Sequence, residues 1–291
     1  MAEEKKFEAK VDKALDGERI DKALSTLFSN FSRRLCRKMI EEGAVYINGK
    51  RCLKLSKSVS EGDELKIILS EKKIEKKEID LEVVYDNYGF LAVNKPPFLP
   101  SVPTRSNLHS AHSILSKMKK IAIKDIHPVN RLDTPVSGVL LFACEKESIK
   151  EIELLKSQNK IDKTYLAWVA GVPSEKEGRI DFPLTSHNGS AFVDVNGKES
   201  VTLFKVIKTL KGFSLLELKP LTGRMHQIRV HLKEKGFPIV GDRKYGVEPQ
   251  KSPRALLHCL KICFSLERQG QIEIEAKIPQ DFLSFEKDLE D

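Results

Sequence analysis

Five consecutive apolar residues, Val139-Leu140-Leu141-Phe142-Ala143, constrain this chain more than any other stretch. A run of that length suits a strand buried on both faces or the opening of a buried helix, and either requires other structure packed on both sides of it. The approach to it, Asn130-Arg131-Leu132-Asp133-Thr134-Pro135-Val136-Ser137-Gly138, is polar and punctuated by Pro135 and Gly138. An aspartate just ahead of a buried element is delivered to the mouth of a pocket on a rigid support, where partial burial tunes its reactivity. Asp133 is therefore the first candidate for chemistry. The competing reading is an Asx turn or a helix cap before Thr134-Pro135.

Two further segments carry dense function-bearing residues. Thr222-Gly223-Arg224-Met225-His226-Gln227-Ile228-Arg229-Val230-His231-Leu232 places two arginines, two histidines and a glutamine in one short segment, read as a helix and too polar for a core. Lys163-Thr164-Tyr165-Leu166-Ala167-Trp168-Val169 reads as a strand with a tyrosine near its start.

A chain of 291 residues has room for one sizeable core and a small second one. Its formal charge of +8 and pI near 9.1 favour a polyanionic partner. The amino terminus is charged, lacks an apolar signal core, and no stretch reaches membrane-spanning length, so the expected compartment is the cytoplasm with no membrane partner. Five scattered cysteines without a Cys-x-x-Cys pair fit reduced thiols. His109 and His112 share a helix face, but no Cys, His or acid at ligand spacing joins them, so they read as surface histidines and no metal is expected. Neither a Walker glycine loop nor a dinucleotide fingerprint is present, which removes the support for nucleotide hydrolysis and for redox chemistry.

Taken in order, residues 1–16 are mixed in charge and expected to fray. A small α/β module follows over 17–70. Ile20, Ala23, Leu24, Leu27 and Phe28 have helical spacing; a second helix capped by Ser32 carries apolar Leu35, Cys36, Met39 and Ile40, and Gly43 stops it. A strand then runs into an Asn48-Gly49 hairpin turn, and Glu61-Gly62-Asp63 turns the chain into the strand at 65–69. Between Phe31 and Lys57 there are eight Lys or Arg against two Asp or Glu, which is either a phosphate-binding face or a solvated charged face. Residues 71–78 have no apolar period and read as a linker. The larger domain occupies 79–291, with short strands at 81–85 and 90–94, helices at 110–120 and 146–160, and paired strands at 204–207 and 213–218 around Lys211-Gly212. Strands at 256–266 and 272–278 close the sheet. The predicted class is α+β, a mixed and mainly antiparallel sheet with helices packed on it.

The Asp133 motif, the Tyr165 strand, the Arg224 segment and Gly236-Phe237-Pro238-Ile239-Val240-Gly241-Asp242-Arg243-Lys244-Tyr245-Gly246 follow one another in a familiar order, with Val93-Asn94-Lys95-Pro96 before them and Leu257-His258 after. From about Leu81 to Pro279 the chain resembles the RluA family of RNA pseudouridine synthases. It departs from the family pattern where Asn130 and Val102 replace the usual histidines and Met225 the usual threonine, positions that bear on substrate fit more than on chemistry.

The resemblance implies a pseudouridine synthase fold, a monomer, no cofactor and no metal. It also implies isomerisation of uridine in structured RNA: the N1–C1′ bond breaks, the uracil turns, and C5 joins C1′. Asp133 would add covalently to base or sugar, or take a sugar proton as a base. Tyr165 would stack on the uracil, with or without taking the C5 proton; Arg224 would pair with Asp133 as a forked guanidinium. Arg131 would fill the gap left by the flipped uridine, Ile228 would floor the base, and Lys95, His226 and Gln227 would contact substrate.

The pattern of helix, basic helix, glycine and Val45-Tyr46-Ile47-Asn48-Gly49-Lys50 resembles the alpha-L RNA-binding module shared with a small-subunit ribosomal protein, which would put Arg33, Arg34, Arg37, Lys38, Lys50 and Arg51 on RNA phosphates. Large-subunit ribosomal RNA is the first expectation for the substrate and transfer RNA the second. A non-catalytic RNA-binding or assembly protein is the rival from another class, and it would be favoured by loss of the aspartate, tyrosine or arginine; all three are present. Sugar hydrolysis by paired carboxylates needs a second acid, and the motif has none.

Overall fold

The computed structural model describes residues 4–41, 43–70, 80–103, 109–246 and 251–290, which fall into two units, Met1–Ile79 and Asp80–Asp291. In the first, β1 (Glu4–Lys10), α1 (Ile20–Leu27), α2 (Arg33–Glu41), β2 (Val45–Ile47), β3 (Lys50–Arg51) and β4 (Glu64–Ser70) follow one another, and the strands pair in the order β1-β4-β2-β3. The helices bury Ile20, Ala23, Leu24, Cys36, Met39 and Ile40 against Val45, Leu65 and Ile67 of the sheet. Ser32 Oγ accepts the Leu35 N–H at 3.3 Å, the cap expected for α2. Asn48 and Gly49, both at positive φ, make the β2–β3 turn.

From residue 4 onward the amino-terminal segment does not fray as expected. Residues 4–10 form β1, paired antiparallel along β4, because Phe7, Ala9 and Val11 alternate beneath the run of charges and give the segment one apolar face. Phe7 packs edge-on against Phe28 and Phe31. The segment read as a linker, 71–78, lies outside the described residues.

The second unit is built on a ten-stranded mixed sheet. Its strands are β5 (Glu82–Asn87), β6 (Phe90–Lys95), β7 (His127–Pro128), β8 (Ser137–Ala143), β9 (Asp162–Ala170), β10 (Glu177–Ile180), β13 (Thr202–Leu210), β14 (Phe213–Pro220), β15 (Leu257–Leu266) and β16 (Gly270–Glu275). A separate hairpin joins β11 (Leu184–His187) and β12 (Ser190–Val193). The main order is β10-β13-β14-β9-β15-β8-β6-β5, with β16 on β15 and β7 on β8. Val139–Ala143 belongs to a strand and not a helix: all seven residues of β8 are buried, between β6 and β15. The β8–β15 pairing is parallel, while the other pairings of this sheet are antiparallel. Gly138 permits it: at φ +116°, a Cβ there would lie 2.2 Å from the Cys259 carbonyl oxygen.

Four helices pack on this sheet: α3 (Ala111–Lys119), α4 (Lys146–Ser157), α5 (Gln227–Glu234) and α6 (Gln280–Glu290). A capping box between Ser110 and Ser113 starts α3. Helix α6, absent from the sequence reading, covers Leu166 and Trp168 with Phe282, Phe285 and Leu289. Two other expectations need correction. β15 does not close the sheet at an edge but runs through its middle between β9 and β8. His112 is buried, with Nε2 3.0 Å from the Ile123 carbonyl oxygen and its ring against Phe142, so it is not a surface histidine. Among the described residues no helix is long and apolar enough to cross a membrane.

Candidate active site

The loop between β7 and β8 carries Asp133 to the wall of a cleft of 840 Å³. The Asp133 carbonyl accepts the Val136 N–H at 3.0 Å, which makes the turn through Thr134-Pro135. Its side chain takes no part in that turn, contrary to an Asx-turn role. Instead Arg229 Nη1 donates to Asp133 Oδ2 at 2.7 Å. Among the described residues no group hydrogen-bonds Asp133 Oδ1, so one carboxylate oxygen is anchored and the other is not.

Arg229 sits on α5, 6% exposed, and its remaining nitrogens are fixed behind the cleft. Nε and Nη2 fork onto Asp242 at 2.7 and 2.8 Å, and the guanidinium lies 5.0 Å from the Tyr245 ring centroid. Burial acts to raise the Asp242 pKa, but the Arg229 fork and the N–H groups of Lys244 and Tyr245 outweigh it and hold it below the usual range. Arg229 is raised, since its two carboxylate partners outweigh the burial that would lower it.

The pairing expected for Arg224 therefore falls on Arg229. His226 adopts φ +52° as the cap of α5, so Arg224 precedes the helix and lines the cleft without reaching Asp133; its Nε donates to the Glu199 carbonyl at 3.1 Å. Gln227, expected to contact substrate, lines the cleft with its amide engaged by protein groups. Its Oε1 accepts the Arg224 N–H and the Thr222 hydroxyl, and its Nε2 donates to the Val201 carbonyl and Thr202 Oγ1, which locks the turn onto β13.

His226 does reach the site, with Nε2 3.6 Å from Asp133 Oδ2, too long for a hydrogen bond, and Nδ1 2.8 Å from the Tyr245 hydroxyl oxygen. Tyr245 oxygen also accepts the Ala191 N–H. Burial lowers the His226 pKa, with Arg229 and Lys244 adding to it and Asp133 opposing, so the ring is neutral at neutral pH. A Tyr245 hydroxyl donating to Nδ1 leaves the proton on Nε2, directed at Asp133; this tautomer is assigned from the hydrogen-bond network.

Lys95 was expected against substrate and is instead fully buried. Its Nζ donates to the carbonyls of Pro96 at 2.9 Å, Leu99 at 2.8 Å and Thr134 at 3.5 Å. Burial pushes its pKa down to about 7, with Arg254 adding to the effect and Asp133 opposing it. Arg254 acts on the next carbonyl: it forks onto Asp281 of α6 and directs Nη1 at the carbonyls of Ala255, Leu257 and Pro135. Two buried cations thus grip the backbone just after Asp133 from below.

Three more of the expected residues line the cleft. Tyr165 on β9 and Ile228 on α5 are both nearly buried and line the cleft with Asp133, and Arg131 is exposed at its rim. Burial first, then Cys259 and Asp133, raise the Tyr165 pKa well above its ordinary value, so the phenol stays protonated. Asp133 is the one acid lining the cleft among the described residues, against Arg131, Lys156, Lys163, Arg224, Arg229 and Lys244. Such a lining suits a polyanion.

In the first unit Arg33, Arg34, Arg37, Lys38, Lys50 and Arg51 are all exposed. A buried acid, Asp21, orients two of them, Arg33 and Arg37, together with Arg19. Its carboxylate receives Nε of Arg19 at 3.1 Å, Arg33 at 3.0 Å and Arg37 at 3.5 Å, with each guanidinium about half exposed. Arg51 donates to the Tyr46 hydroxyl and lies over its ring.

Comparison with known proteins follows the same division. A family model described as RNA pseudouridylate synthase matches residues 89–234, and an S4 domain model matches residues 18–65. A Bacillus subtilis protein named uncharacterized RNA pseudouridine synthase YlyB is 31% identical over 94% of this chain and 94% of its own length. A Rickettsia conorii protein named ribosomal large subunit pseudouridine synthase C is 32% identical over 90% of this chain and 94% of its own. Among solved structures, human RNA pseudouridylate synthase domain containing 1 superposes with a TM-score of 0.59 at 25% identity, covering 69% of this chain and 84% of that one.

Proposed function

Because the chain belongs to the RNA pseudouridylate synthase family and isomerises uridine to pseudouridine in RNA, we propose that its substrate is large-subunit ribosomal RNA and that Asp133 acts on the target nucleotide. The observation that carries the Asp133 assignment is its pairing with buried Arg229 in a cleft whose other charged lining residues, among those described, are Lys and Arg. The reaction moves one bond within one nucleotide, so a single carboxylate, as nucleophile or as base, is sufficient. Arg229 fixes Oδ2 and with it the direction of the carboxylate, and Oδ1 is the reacting oxygen.

The uracil stacks on Tyr165 above Ile228. A phenol held protonated by burial is a poor acceptor for the C5 proton, so Tyr165 serves as a platform in this reading. Arg131 at the rim enters the space the flipped base leaves. The S4 domain holds RNA phosphates through Arg33, Arg34, Arg37, Lys38, Lys50 and Arg51. Support for the ribosomal substrate is the name carried by the Rickettsia conorii relative, and the compartment that follows from it is the cytoplasm.

The test is to map pseudouridine in total RNA from cells with the gene, without it, and with Asp133→Asn. One or more large-subunit positions should lose the modification in both altered strains. Loss confined to transfer RNA would replace the substrate, and full modification by Asp133→Asn would remove Asp133 from the chemistry. In vitro the same variant should fold, bind RNA, and turn over at least about 10³-fold more slowly.

A further inference from the structure

Beside the catalytic cleft lies a second cavity of 260 Å³ that shares Pro135, Arg229 and Lys244 with it. The reaction on a flipped uridine makes no use of this space. Phe98 stands on its wall, 61% exposed and at φ +64°, a combination with two penalties: an aromatic ring in water, and a Cβ in the left-handed region that favours glycine. The backbone there is held from both sides. The Phe98 N–H donates to the Thr134 carbonyl at 2.7 Å, and buried Lys95 Nζ binds the carbonyls of Pro96 and Leu99. Backbone strain kept in place by its surroundings is common at ligand clamps.

The charges around Phe98 specify the occupant. Arg243 lines the cavity, is exposed, and has no ion-pair or hydrogen-bond partner among the described residues. Lys244 Nζ donates to the Gly189 carbonyl at 2.5 Å. Among the described residues Asp242 is the one acid of the lining, and it is paired with the Arg229 fork. Pro135, Pro253 and Ala255 supply apolar wall. An exposed ring beside an unpaired guanidinium fits a flat group joined to an anion, which is a nucleobase on its phosphate.

We infer that Phe98 and Arg243 form a second base-binding subsite, which takes an unpaired nucleobase adjoining the target uridine and holds its phosphate. The inference rests on the RNA reading of the neighbouring cleft. The ring of Phe98 stacks on the base, Arg243 holds the phosphate, and the RNA is registered so that the uridine one step away meets Asp133. The strained φ is kept because glycine, the residue that would relieve it, has no ring to offer.

The experiment uses the full chain, unmodified large-subunit ribosomal RNA transcript to locate the modified uridine, and stem-loops built around that position. Phe98→Gly should raise the melting temperature by relieving the positive φ, and lower kcat/KM about tenfold. The loss should fall on KM and not on the saturating single-turnover rate, and Phe98→Tyr should restore it. Arg243→Gln should also raise KM and make the salt dependence shallower. Replacing one flanking nucleotide by an abasic residue should cost the wild type about the same tenfold and cost Phe98→Gly nothing more. Additive losses, an unchanged KM in Phe98→Gly, or a Phe98→Tyr that fails to restore binding would overturn the inference while wild-type turnover leaves the proposed function standing. A wild type that forms no pseudouridine in ribosomal or transfer RNA transcripts would overturn both.

Discussion

Arg229 Nη1 meets Asp133 Oδ2 at 2.7 Å while the other edge of the same guanidinium is forked onto Asp242, so the arginine that orients the candidate catalytic carboxylate is itself held rigid. An ammonium in its place can reach one carboxylate but cannot hold two in fixed directions. Arg229→Lys should therefore lower single-turnover pseudouridine formation about 100-fold, the scale of a misplacement near 1 Å. Arg224→Lys should change it no more than about twofold, as for an exposed side chain bonded to a backbone carbonyl. Equal losses in the two variants would refute the assignment. Arg229→Met is a poorer probe, because stranding Asp242 in the core costs about 3–5 kcal/mol of stability.

Asp21 yields a prediction opposite to the one that net charge suggests. Asp21→Asn makes the S4 domain more basic, yet Arg19, Arg33 and Arg37 lose the anchor that sets their directions. Burial raises the Asp21 pKa, and the bonds from Arg33 and Arg19 more than reverse it, so the carboxylate is charged and the trio is fixed at neutral pH. Affinity for ribosomal RNA should fall about fivefold with a shallower salt slope, measured by filter binding across salt at temperatures where the variant is folded. Tighter binding would mean that the arginines need no anchor.

His258 sets an acid limit on the second unit. It lies fully buried between Ser137, whose hydroxyl is 3.0 Å from Nδ1, and the Ala276 carbonyl, 3.4 Å from Nε2. Burial, with Arg254 beside it, pushes its pKa down to about 4. The unfolded chain binds this proton near the ordinary value of about 6.5, so its contribution is fully present above that pH and is lost as pH falls to about 4. The loss is about 3 kcal/mol at most. Urea unfolding from pH 7 to 4 should show a decline in wild type that is visibly smaller in His258→Asn. Parallel declines would place the proton elsewhere.

The buried strand behind Asp133 is legible because burial on both faces leaves an unbroken apolar run, and the S4 helices because their apolar residues keep helical spacing. The edge strand at Glu4–Lys10 is hidden by the lysines and glutamates on its outer face, although Phe7, Ala9 and Val11 keep the alternation. The partner of Asp133 is ambiguous for another reason. Arg224 and Arg229 are five residues apart and both line the cleft, and the left-handed His226 between them sets which one reaches Asp133. No residue-type preference reports such a turn at a histidine. Lys95 misleads because a lysine is expected to seek water, whereas three backbone carbonyls here take the place of water. Asp242 and Tyr245 have a sequence signal, an acid and a phenol within a basic stretch, but what they bind becomes visible only when α5 is packed against it.

The parallel contact of β8 with β15 has a consequence for how an active molecule comes into existence. Ser137 and His258, which face one another across it, are 121 residues apart in the chain. A protein emerging from the ribosome exposes the Asp133 loop long before the strand that supports it has been made, and closing so long a loop must precede the contact. Gly138→Ala would block the closure itself, since the added carbon meets the Cys259 backbone. Interrupted synthesis before residue 257 therefore leaves products with an S4 domain but no assembled carboxylate site. Such a fragment should occupy RNA without modifying it, and competence should require synthesis through β15.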